Sequence, residues 1–186
     1  MRIPLRRIIA ALAALLLAAC APLATQQARP PIVFVHGNGD SASIWHTTLW
    51  RFESNGWPRE RLFALDAPYP LARADDAKPQ EGRTGTAEHL QQLAAEVERA
   101  RRLTGAQKVV LVGSSRGGNA IRNYIRNGGG AGTVSHAILG GGTSHGVWAS
   151  DYLPGSEFNG KAPFLVALNA PQGPDGLEVT PEVRYE

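Results

Sequence analysis

The amino-acid sequence predicts an α/β fold with a mostly parallel sheet and helices on both faces. Two observations carry this. Short apolar runs alternate with stretches of helical spacing along most of the chain, as strand–helix–strand crossovers require. The runs, Ile32-Val-Phe-Val35 and Val109-Val-Leu-Val112 among them, are apolar without a period of two, as strands covered on both faces are. At 186 residues the chain holds one domain with a real core.

Taken in order, Pro31 to Val35 reads as a buried strand that ends at His36-Gly-Asn-Gly-Asp40. Ile44, Trp45, Leu49 and Phe52 have helical spacing and predict a short helix over 44–52. Arg61 to Leu65 is a second strand, and the Pro-rich, charged segment 67–83 is a loop. A long helix begins near Thr86, with Leu90, Leu93, Ala94, Val97 and Ala100 on one stripe. Glu88 in its first turn and Arg101 and Arg102 in its last suit the helix dipole, and Gly105 is placed to cap it. Lys108 to Val112 is a third strand. Asn119 to Asn127 is a helix with Ala120, Ile121, Tyr124 and Ile125 on one face. Residues 128–132 read as a glycine loop, Val134 to Leu139 as a fourth strand, Ala162 to Leu168 as a short helix, and Glu182 to Glu186 as a fifth strand barely started.

The formal charge of +3 does not describe the folded part. Arg2, Arg6 and Arg7 lie in an acid-free leader, and without them sixteen basic side chains face sixteen acidic ones. No basic stripe remains for nucleic acid, which is not expected as a partner. Residues 1–19 read as a signal peptide: a positive start, then an unbroken apolar run from Ile8 to Ala19. Its twelve residues fall short of the ~20 that span a bilayer. Leu17-Ala-Ala-Cys20 resembles a bacterial lipobox, which implies lipidation of Cys20 and a membrane attachment through it. The alternative is an ordinary small-residue cleavage site that includes a Cys. Residues 20–30 then form the lipidated Cys and a tether, and 31–186 the folded domain. The expected location is the bacterial cell envelope, as an outer-membrane lipoprotein or a secreted protein. Cys20 is the only cysteine, so no internal disulfide is possible.

Gly113-Ser-Ser-Arg-Gly117 fits G-x-S-x-G with Ser115 at its centre. The pentapeptide is a weak signal alone, but here a strand arrives and a helix departs. Gly113 and Gly117 permit a turn sharp enough to expose the hydroxyl at the strand's C-terminal edge. The plain alternative is a glycine-rich turn without chemistry. A phosphate loop is excluded because no Lys follows the glycines. His36-Gly37-Asn38-Gly39 supplies a second loop able to aim amides at an oxyanion, with Asn38 and Arg116 as the two donors. His36 precedes the serine and is expected to hold its loop rather than move protons, with Gly37 and Gly39 shaping the turn. No metal and no cofactor are expected.

HGNGD after a strand, with VGSSRGGNAIRNYI downstream, resembles the class 2 lipases of the α/β-hydrolase superfamily and related extracellular polyester depolymerases. The resemblance implies a serine carboxylic-ester hydrolase that works through an acyl-enzyme on Ser115, with a lipid or polyester substrate. It makes Thr143 to Val147 the border of the acyl pocket. Arg116, where many such lipases carry Met, is expected to make the pocket mouth more polar. The family's order is Ser, then acid, then His. After Ser115 only His136 and His145 remain, and neither has that placement. Asp151, Glu157, Asp175, Glu178 and Glu182 read as solvated loop charges. The chain is therefore expected to be a partial α/β-hydrolase domain, its last strands missing, with acid and histidine beyond its end and little activity by itself. The alternative is a catalytically inactive, lipid-anchored protein that binds acyl ligands or partners. Trp45, Trp57 and Trp148 belong either to the core or to a lipid-facing surface.

Overall fold

A computed structural model describes residues 29–172 and 174–186. The segment expected to be a signal peptide and most of the expected tether, with Cys20, lie outside the described residues. Five parallel strands form the sheet: β1 (Ile32–Val35), β2 (Leu62–Ala64), β3 (Val109–Ser114), β4 (Val134–Gly140) and β5 (Arg184–Tyr185). Their order is β2-β1-β3-β4-β5. The chain steps outward from β1 to β2 and then returns to the other side of β1 as β3. The β1/β3 boundary is thus the point where the winding reverses, and loops leaving these two strands part to open a crevice there.

Alternate side chains of the central strands point to opposite faces. Val33, Val35, Leu111 and Ala137 pack under the two long helices, α2 (Thr86–Thr104) and α3 (Arg116–Asn127). Leu93, Val97 and Ala100 supply the face of α2, as the stripe predicted. Burying Leu93 and Val97 fully is worth about 1.5–3 kcal/mol each. Ile32, Phe34, Leu62 and Val110 face the other way, against α1 (His46–Ser54) and the 3₁₀ turn Ala42–Trp45 before it. Phe34 meets Trp45 and Phe52 at centroid distances of 5.2 and 5.7 Å, and Trp57 meets Phe52 edge-on at 5.3 Å. Trp45 and Trp57 are therefore half-buried against this core, whereas Trp148 stands out in solvent, 81% exposed.

The ends of α2 follow the sequence. Glu88 accepts the N–H of Gly85 at 2.6 Å, and Gly105 closes the helix with φ 68°. Elsewhere the elements differ. α3 begins at Arg116, three residues earlier than its apolar pattern, because Gly117 and Gly118 hide a helical turn behind poor helix formers. The glycine segment after α3 contains a helical turn, α4 (Gly130–Thr133), where the sequence suggested a loop. Gly130 lies against the backbone of Ile125, where a Cβ would come within 2.5 Å. α5 (Pro163–Leu168) starts on its proline, which suits a first helical position. β5 covers only Arg184 and Tyr185, held to β4 by Glu186 N–H to the Ala137 carbonyl at 2.9 Å. Among the described residues no helix is long and apolar enough to cross a membrane.

Candidate active site

Ser115 sits between β3 and α3 with φ 52° and ψ −119°, and it is the one described non-glycine residue at positive φ. A side chain held there stores on the order of 1–3 kcal/mol of strain. The hydrogen bonds around it hold the bend: Ser115 N–H donates to the Gly140 carbonyl and Gly118 N–H to the Ser115 carbonyl, both at 2.9 Å. Gly117 is required by packing. A Cβ there would drive into the carbonyl oxygens of Val35 and His36, so α3 leans directly on the end of β1. Gly113 is crowded similarly, by Ile121 and by the Gly117–Gly118 backbone.

The loop after β1 meets this elbow. A Cβ on Gly37 would lie 3.3 Å from the Ser115 Cβ, which puts the loop backbone against the serine. His36 is 1% exposed, and both ring nitrogens are engaged. Nδ1–H donates to the Gly37 carbonyl at 2.8 Å, and Nε2 accepts the Ala67 N–H at 3.2 Å. This ring has no nitrogen left to take a proton from Ser115. Gly39 turns the loop at φ 77°, and its N–H donates to the Pro70 carbonyl at 3.2 Å. Asn38 is exposed, and its Oδ1 accepts the Ala72 N–H at 2.7 Å. The backbone amides of Asn38 and Arg116 have no acceptor among the described residues. For Arg116 this is the ordinary state of a first helical amide.

The Arg116 side chain corrects the sequence expectation. It does not stand at a pocket mouth but is 1% exposed, paired with Glu157 by two bonds of 2.8 Å from Nε and Nη2. Nη1 donates to the Pro70 carbonyl at 2.9 Å and Nη2 to the Thr84 carbonyl at 2.6 Å. Glu157, expected as a solvated loop charge, is 2% exposed. Burial pushes its carboxyl above the usual range, while the Arg116 guanidinium pulls it back. A cation at a helix N-terminus is unfavourable, which is a further reason for the acid partner. Sequence reasoning missed Glu157 because its partner is forty-one residues away; the signal was an Arg at a position that the fold must bury.

The histidines after the serine do not serve it. His136 lies within β4, and His145 is exposed with Nε2 3.0 Å from Glu178. No histidine among the described residues hydrogen-bonds to Ser115. Asp151, Asp175 and Glu182 are exposed loop charges, as expected. No cluster of three metal-ligating side chains occurs among the described residues.

His89, on α2, is buried with Nε2 unpartnered. Its burial, and after that the positive charge of Arg116, push its pKa down to about 3. Between pH 6.5 and 3 the unfolded chain therefore binds a proton that the folded chain refuses. Stability falls as pH falls through this window, by up to about 1.4 kcal/mol per unit. Urea midpoints of His89→Leu should show a flatter acid limb than the wild type. Parallel limbs would refute this role.

A parallel sheet with helices on both faces and a strained serine at a strand-to-helix elbow defines an α/β-hydrolase. The chain belongs to the class 2 lipase family, whose model matches residues 29–149. Among solved structures, the mature form of a Bacillus licheniformis lipase matches with a TM-score of 0.55 at 23% identity, over 86% of this chain and 65% of that one. Aspergillus fumigatus lipase B matches at 0.57 and 13%, over 81% of this chain and 35% of that one. A Listeria innocua protein matches at 0.54 and 14%, over 84% and 68%. This chain spans less than two thirds of the length of either lipase.

Proposed function

We propose that the protein is an exported serine carboxylic-ester hydrolase acting on lipid or polyester esters. The observation that carries this is the backbone at Ser115, a strained non-glycine residue with Gly37 packed against its Cβ. In the proposed reaction Ser115 Oγ attacks the ester carbonyl carbon and passes its proton to a base. The oxyanion forms against the amides of Asn38 and Arg116. Its collapse breaks the carbon–oxygen bond, the alcohol leaves with the proton, and water then hydrolyses the acyl-enzyme. The base and its acid partner come from outside the residues described, since no histidine among these reaches the serine. The test is turnover of a short-chain nitrophenyl ester by the natural full-length protein. Turnover that Ser115→Ala abolishes supports the assignment, and turnover that survives it removes Ser115.

Residues 1–19 are proposed to direct export, and Cys20 to carry a lipid that holds the enzyme at the cell envelope. Mass spectrometry of the natural protein should find an N-terminal, lipid-modified Cys20, and Cys20→Ala should release the protein from membranes. An unmodified Cys20 in membrane-bound protein would refute the anchor.

A further inference from the structure

Two loops that approach Ser115 are joined through one short stretch of backbone. The Pro70 carbonyl accepts both the Gly39 N–H, at 3.2 Å, and Arg116 Nη1, at 2.9 Å. Two residues on, the Ala72 N–H donates to Asn38 Oδ1 at 2.7 Å. Residues 70–72 thus form a strut between the loop after β1 and the first residue of α3. The Arg116 guanidinium is the pin that fastens α3 to it, with a further bond to the Thr84 carbonyl. Glu157 grips that guanidinium through two parallel bonds, the geometry that gives an Arg–carboxylate pair its directional rigidity.

We propose that Glu157 is a positioning residue for ester hydrolysis: it fixes the Arg116 side chain against the 70–72 strut and so sets the spacing of the Asn38 and Arg116 amides. This rests on the assignment of Ser115 as nucleophile. Oxyanion donors act only when they are already aimed at the place where charge develops, and losing one costs about 10²–10³ in kcat. A loosened pair of donors therefore lowers kcat and leaves substrate affinity alone. A Met at position 116 would fill the space but could hold neither carbonyl.

The experiment uses the natural full-length protein and a soluble nitrophenyl ester, with thermal melting recorded for every variant. Glu157→Gln is expected to lower kcat by about 10- to 100-fold with KM within roughly twofold, and to slow phosphonate labelling of Ser115 by the same factor. Because this variant leaves a buried cation half-paired, a second one replaces both charged side chains by apolar ones, Arg116→Met with Glu157→Leu. An apolar replacement for a buried ion pair is often neutral for stability, so the double variant should melt near the wild type and still show the low kcat. A kcat that returns together with stability, or a Glu157→Gln kcat equal to wild type, would overturn the proposal. Failure of the wild type itself to label at Ser115 would instead remove the nucleophile assignment.

Discussion

Ser115→Ala is expected to lower kcat on a soluble ester by on the order of 10⁶ in the natural protein, since triad enzymes lose about this much with their nucleophile. What survives is the roughly 10³–10⁴ over water contributed by the oxyanion donors and binding. Stability should not follow activity. Alanine at φ 52° is as strained as serine, so Ser115→Ala should melt close to the wild type. Ser115→Gly removes the strain of about 1–3 kcal/mol but adds unfolded-state freedom worth about 0.5–1 kcal/mol. It is expected to be inactive and more stable by about 1 kcal/mol. Calorimetry beside kinetics checks the pair. A glycine variant less stable than the alanine one would show that the strain at the elbow is not real.

Gly117→Ala should be the most damaging small substitution near the site. Its Cβ enters the carbonyl oxygens of Val35 and His36, and backbone cannot rotate away as a side chain can. The start of α3 must move off β1, at about 3 kcal/mol for overpacking of this kind. Ser115 and the Arg116 amide move with it, and a displacement near 1 Å costs roughly 100-fold in rate. The neighbouring Gly118 is the control. A Cβ there would sit 3.9 Å from Leu139, an ordinary contact, so Gly118→Ala should gain about 1 kcal/mol of helix propensity with activity kept. Urea denaturation and ester turnover on both variants decide this, and equal behaviour of the two would contradict the packing described.

Much of this was readable from the sequence where the signal is local. Unbroken apolar runs placed β1 and β3, and the stripe through Leu93, Val97 and Ala100 placed α2 with its closing Gly105. The G-x-S-x-G and HG loops pointed to Ser115 and Asn38, and the winding of the sheet brings those loops together. What the sequence hid is non-local. Arg116 looked like a polar group at the pocket mouth and Glu157 like a solvated loop charge, because only the fold shows that they bury each other. The first turn of α3 was obscured by Gly117 and Gly118, both poor helix formers, of which Gly117 is required by its close approach to β1. The strut at residues 70–72 lies in a Pro-rich segment whose path no periodicity reports.

The most direct test of the central claim is labelling with an organophosphonate ester, read by mass spectrometry of the digested natural protein. A single adduct is predicted on the peptide spanning residues 109–122, at Ser115. It should be absent from Ser115→Ala and present at near wild-type extent in Ser114→Ala. Equal labelling of Ser115→Ala, or an adduct that disappears only with Ser114, would contradict the assignment of Ser115 as the nucleophile.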